Sequence, residues 1–101
     1  MRNEPKTFEE ACELLALEIS LMVCAKQYDY GKENILGFGE QGLVVRLWDK
    51  INRLKNLVWN NQRPKNESTI DTLQDIAGYA ILGLMLNKGW FELPMEEEEN
   101  G

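Results

Sequence analysis

Residues 76–86 read IAGYAILGLML, apolar around the whole circumference of a helix, and no other stretch limits the fold so strongly. A helix without a polar side must be covered on every side or lie in a membrane. Eleven residues are too few to span a bilayer, which takes about 20. The segment is therefore expected to be a central helix, buried all round, with Ala77, Gly78, Ala80 and Gly83 letting neighbouring backbones come close. The helix should run from Asp71 to about Lys88, with Ser68 or Thr69 as its cap and Asp71 complementing the positive end of its dipole. Gly89 should stop it after Lys88, and WFELP, residues 90–94, should fold back over an open edge.

Two further helices are needed to surround it. Thr7 and Glu10, three apart in TFEE after Pro5, have the spacing of a capping box, so a first helix is expected from Phe8 to Lys26 or Gln27. Phe8, Ala11, Cys12, Leu15, Ile19, Met22 and Val23 cluster on one side of it, with Glu18 inside the margin of that apolar arc. Gly31, Gly37, Gly39 and Gly42 then exclude a continuous helix, and some fifteen residues from Tyr28 are expected as an ordered loop anchored by Tyr28, Tyr30 and Phe38. A second helix should run from Gln41 or Gly42 to Trp59. Its buried stripe would be Leu43, Leu47, Ile51, Leu54, Leu57 and Val58, and Arg46, Asp49, Arg53 and Asn56 would form one polar row.

The expected fold class is all-α: a small bundle of three main helices forming one domain over residues 1–93, followed by an acidic disordered tail over 94–101. Three helices from one chain of 101 residues can hardly surround such an all-apolar helix completely, so completion by a homodimer or higher homo-oligomer is expected.

Charge and composition narrow the chemistry. The formal net charge of −6 includes Glu96 to Glu99 in the tail, and without that run the balance is −2. Between Gly42 and Asn66 the sign reverses: Arg46, Lys50, Arg53, Lys55, Arg63 and Lys65 face a single acid, Asp49. Such a local surplus attracts phosphate, while the acidic body as a whole argues against general binding to nucleic acid. Cys12 and Cys24, on one helix and roughly 18 Å apart by helical rise, cannot bridge each other. Reduced thiols, a polar N-terminal stretch without a secretory pattern and no membrane span make a cytoplasmic protein the expectation. The chain has no His, which removes Ser/His and Cys/His nucleophiles and the usual zinc sets. A metal would have to be held by carboxylates, hence Mg²⁺ or Mn²⁺.

Two accounts of the acids remain open from the residues alone. Asp71 can serve only the helix start while Asp75 pairs with Arg46 or Arg53 across the helix interface. Alternatively Asp49 and Asp75, with Glu18 or Asp71, converge on a divalent cation, while Arg46, Arg53 and Lys32 surround bound phosphates and Tyr30 or Tyr79 stacks on a base.

The segments YDYGKENI, RLWDKINRLKNLV and DTLQDIAGYAILGLM together resemble the nucleotide modification associated domain family, short and mostly phage-borne proteins that look related to MazG-like all-α nucleotide pyrophosphohydrolases. The likeness covers roughly residues 8–88. In the broader superfamily, Glu-x-x-Glu on one helix and Glu-x-x-Asp on the next bind Mg²⁺ and the phosphates. The matching slots here are Asp49, Asn52, Thr72 and Asp75, so two of the four carboxylates are replaced by neutral oxygens, and Asp71 or Glu18 would have to substitute.

The resemblance implies a nucleotide-binding protein of nucleotide metabolism or of nucleotide handling in phage infection, then located in the host cytoplasm. It could be a Mg²⁺-dependent nucleoside triphosphate pyrophosphohydrolase with Asp49 and Asp75 catalytic. Two alternatives stand beside it. One is a catalytically silent binder that sequesters a signalling or host nucleotide. The other is a pure interaction module using Trp48, Trp59 and Trp90.

Overall fold

A computed structural model describes residues 4–65 and 67–96. Helix α1 spans Phe8–Tyr30, α2 Glu33–Leu36, α3 Gly39–Leu54 and α4 Thr69–Lys88, and a π-helical turn, Lys55–Trp59, extends α3. Among the described residues there is no strand. No described helix is long and apolar enough to cross a membrane. Most of the expected acidic tail, from residue 97 onward, lies outside the described residues.

The ends of the helices follow from local chemistry. Thr7 Oγ1 accepts from the Glu10 N–H at 3.0 Å, and Glu10 Oε1 accepts from the Lys6 N–H at 2.8 Å, one residue ahead of the expected reciprocal bond. At α4 the reciprocity is complete: Ser68 Oγ takes the Asp71 N–H at 3.0 Å and Asp71 Oδ2 takes the Ser68 N–H at 3.3 Å. Gly89, at φ 76, supplies the left-handed residue that ends α4.

Helix α1 runs three residues beyond its expected end, because nothing in Tyr28, Asp29 or Tyr30 forbids helix and Gly31, at φ 79, is the first residue to turn the chain. The segment expected as loop contains one helical turn, α2, in the one gap between glycines long enough to hold it. It is there that Ile35 enters the core.

Helix α4 is central, packed by α3 along one side and by α1 along another. A Cβ on Gly78 would lie 3.0 Å from Met22 Cε and 3.2 Å from Val23 Cγ2, so the missing side chain is what lets α1 approach. On the α3 side, Ile35, Leu43 and Phe91 form the buried cluster, flanked by Leu36, Tyr79, Leu82, Met85 and Leu86. Phe91 reaches this cluster because the chain folds back after Gly89, with the Trp90 N–H donating to the Met85 carbonyl at 2.8 Å.

Burial all round α4 does not occur. Ile70, Leu73 and Leu84 are each at least half exposed, and with Ala77 and Ala80 they repeat at intervals of three and four along one face. Ile51 and Val58, expected in the stripe of the second helix, also face solvent, as do Phe8 and Leu15 of the first. Each of these helices carries more apolar surface than its packed neighbours cover.

Candidate functional site

Three basic residues of α3 reach groups from other segments, and two of them share Glu67. Arg46 Nη2 donates to the Asn34 carbonyl at 2.9 Å, and the Arg46 guanidinium lies 6.0 Å from the centre of the Tyr79 ring. Lys50 Nζ lies 2.9 Å from Asp75 Oδ2 and 2.9 and 3.0 Å from the two oxygens of Glu67. Arg53 Nε meets Glu67 Oε1 at 2.9 Å. From α1, Lys26 Nζ reaches Asp75 Oδ1 at 3.1 Å. One ladder, Lys26, Asp75, Lys50, Glu67 and Arg53, therefore ties α1, α4, α3 and the segment before α4.

Asp75, Lys50 and Glu67 keep less than a fifth of their side-chain surface. Burial alone would raise the Asp75 pKa, but hydrogen bonds from Lys50 and Lys26 outweigh it and hold the carboxyl below its ordinary value. Burial likewise works against the Lys50 ammonium, yet Glu67 and Asp75 together hold its pKa above the usual value.

Beside this ladder lies a cavity of about 180 Å³ between α1, α2, α3 and α4. Met22, Val23, Gly78 and Leu82 give it an apolar floor, and Lys26, Asn34, Arg46 and Asp75 bring polar groups, with Tyr30 and Tyr79 at its wall. Of the residues expected to bind a nucleotide, Arg46, Tyr30 and Tyr79 meet here. Lys32 and Arg53 do not: Lys32 Nζ donates to the Glu92 carbonyl at 3.4 Å, and Arg53 serves Glu67.

The four acids expected at a metal, Glu18, Asp49, Asp71 and Asp75, have separate surroundings. Asp71 is turned to Ser68 in the capping box. Asp49 is exposed on α3 and forms no ion pair among the described residues, since Arg46 and Arg53, which the sequence offered it, are bound elsewhere. Glu18 is half-buried on α1 and does not line the cavity. Only Asp75 faces it.

The neutral slots are also spent locally. Asn52 Nδ2 donates to the Trp48 carbonyl at 3.0 Å, and Thr72, fully buried, donates to the Ser68 carbonyl at 2.9 Å. Among the described residues no three His, Cys, Asp or Glu side chains gather as a group that could hold a metal ion. The carboxylates that do approach one cation, Asp75 and Glu67, have all four oxygens taken by Lys26, Lys50 and Arg53.

Sequence reasoning missed Lys26, Asn34, Lys50 and Glu67 at this site, and the one of its two accounts that paired Asp75 named Arg46 or Arg53, whereas its partners are Lys50 and Lys26. Lys50 carried a signal, being one turn beyond Arg46 on the same face of α3. Lys26 and Glu67 carried none, because their partners lie 49 and 17 residues away in the chain.

Fold and cleft together define an all-helical protein with one cationic, tyrosine-walled site at the junction of its helices. The chain belongs to the nucleotide modification associated domain 1 family, whose model matches residues 26–86. That span contains Lys26, Tyr30, Asn34, Arg46, Lys50, Glu67, Asp75 and Tyr79. No curated protein and no solved structure matches the chain.

The ladder sets a pH dependence. A depressed Asp75 pKa stabilises the fold fully above the ordinary aspartate value, about 3.9, and that contribution is lost as pH falls through the lower folded-state value. A raised Lys50 pKa stabilises fully below about 10.4 and is lost as pH rises beyond it. Asp75→Asn should lower stability at pH 7 by roughly 1–3 kcal/mol, discounted for partial exposure. In urea unfolding, the gap to wild type should narrow between about pH 5 and pH 2; a gap that stays constant would contradict the assignment.

Proposed function

We propose that the protein binds a nucleotide in the cleft between α1, α2, α3 and α4 and acts in nucleotide metabolism or handling in the cytoplasm. The observation that carries this reading is the meeting, within the family-matched span, of two cationic groups and two tyrosines around an apolar floor. Lys26 and Arg46 provide the charge for phosphate, and Arg46 forms hydrogen bonds through Nη2 alone among the described residues, which leaves its remaining N–H groups for a ligand. Tyr30 and Tyr79 offer ring faces to a base. At about 180 Å³ the cavity takes a base or one end of a nucleotide, with the rest in the open mouth.

The family name supports nucleotide chemistry without specifying a reaction. Mg²⁺-dependent hydrolysis of a nucleoside triphosphate by Asp49 and Asp75, which the MazG-like resemblance implies, has no gathered set of carboxylates among the described residues to support it. Binding without turnover is therefore the reading we adopt. It makes a direct prediction. In a thermal-shift panel of ribo- and deoxynucleotides at least one should raise the Tm, since a ligand that binds only the folded state stabilises it. Arg46→Ala should weaken that nucleotide roughly ten- to hundredfold, the worth of a charge-assisted hydrogen bond. A panel without any shift would exclude the reading.

We further propose that two copies associate through the open face of α4, Ile70, Leu73, Ala77, Ala80 and Leu84. The accessible surface is 8359 Å², where a compact chain of this mass exposes about 5,900 Å². The three-and-four spacing is what a second helix needs to pack along this face, and the small residues at its middle permit a close approach. Light scattering behind size exclusion should give a dimer or larger mass for the wild type and a monomer mass for the Leu73→Glu, Leu84→Glu double variant. A monomeric wild type at tens of micromolar would contradict the interface.

A further inference from the structure

Two carboxylates that arrive from different segments and converge on one cation form the arrangement by which proteins hold a hard metal ion. Here Asp75, on α4, and Glu67, just before it, converge on an ammonium. Lys50 Nζ bonds both, at 2.9 Å to Asp75 and at 2.9 and 3.0 Å to Glu67. These are ammonium distances; Mg²⁺ would draw its oxygens to about 2.0–2.1 Å. The outer oxygens are taken as well, by Lys26 at 3.1 Å and Arg53 at 2.9 Å.

Charge balance points the same way. Three cations face two carboxylates along the ladder, and Arg46 adds a fourth positive charge at the cleft, so the region carries surplus positive charge with no ion added. A divalent cation entering between Asp75 and Glu67 would have to expel Lys50 from a position where it keeps about a fifth of its side-chain surface.

We propose that Lys50 is a built-in substitute for a divalent cation: it positions Asp75 at the cleft wall and lets the site take a phosphate-bearing ligand without metal. The ligand half of this inference rests on the nucleotide-binding reading, and the Lys50 half does not. Lys50 does not line the cavity, so it acts through Asp75 as a positioning residue, and the anion meets Lys26 and Arg46.

The test has two arms on the full chain. In the first, Mn²⁺ alone is titrated and followed by electron paramagnetic resonance. Wild type should leave Mn²⁺ free at sub-millimolar concentration, while Lys50→Ala, which frees Asp75 Oδ2 and Glu67 Oε2 to face one ion, should bind it at least tenfold more tightly. Lys50→Met, which keeps the alkyl chain, should do the same if the alanine variant fails to fold. Stoichiometric Mn²⁺ binding by wild type, or no gain in a folded variant, overturns the substitution. If neither variant folds, the wild-type titration decides.

In the second arm, inorganic pyrophosphate and the nucleotide with the largest thermal shift are titrated calorimetrically in EDTA and in Mg²⁺. Affinities within twofold of each other support metal-free binding, and a tenfold loss in EDTA overturns it. If neither probe binds in either buffer, the nucleotide reading and the ligand half fall together, while the Mn²⁺ arm still reports on Lys50.

Discussion

The structure depends on an ammonium held between two carboxylates. Lys50 lies at the crossing of α3 and α4, and its bonds to Asp75 and Glu67 fix three things at once: the angle of α3 across α4, the path of the chain into the Ser68 cap, and the orientation of Asp75 toward the cleft. Leaving Lys50, Asp75 or Glu67 unpaired at under a fifth exposure would cost several kcal/mol, whereas water can replace a partner lost by the more exposed Lys26 or Arg53. The buried cluster of Ile35, Leu43 and Phe91 is small, and the polar ladder gives the helix crossing a specificity that so few apolar contacts would leave loose.

What could be read from the sequence was what neighbouring residues decide. Thr7 with Glu10 and Ser68 with Asp71 lie within one turn, so both helix starts were legible to within a residue or two. Gly89 could be placed because an apolar helix reaching glycine has a known way to end. The return of Phe91 was legible because an aromatic pair just after a helix stop has nowhere else to bury. Helix α2 was hidden by the density of glycines around it, and the π-helical turn at Lys55–Trp59 has no pattern of its own in the residues.

The site was half legible. Arg46, Tyr30, Tyr79 and Asp75 could be named because each is an unusual residue at its place: a cation beside an apolar stripe, a tyrosine at a helix end, a carboxylate entering an apolar helix. The ion pairs could not, because reading along one helix shows the row of Arg46, Asp49 and Arg53 but not the partners that other segments bring to it. In the folded chain the arginines turn to a carbonyl of α2 and to Glu67, leaving Asp49 in solvent. The same geometry leaves Asp49 outside the cleft that Asp75 lines. It also accounts for an over-apolar α4 with one face uncovered: α1 and α3 are committed to two of its sides by Gly78 and by the ladder, and no segment of the described chain reaches the third.

The central claim is that Lys50 and Asp75 are energetically coupled across the helix crossing rather than merely adjacent. A double-mutant cycle with Lys50→Met, Asp75→Asn and the pair, measured by urea unfolding at pH 7, addresses it most directly. We expect the pair to cost less than the sum of the singles, with a coupling of roughly 0.5–3 kcal/mol. Additivity within about 0.3–0.5 kcal/mol, the behaviour of independent sites, would contradict the account.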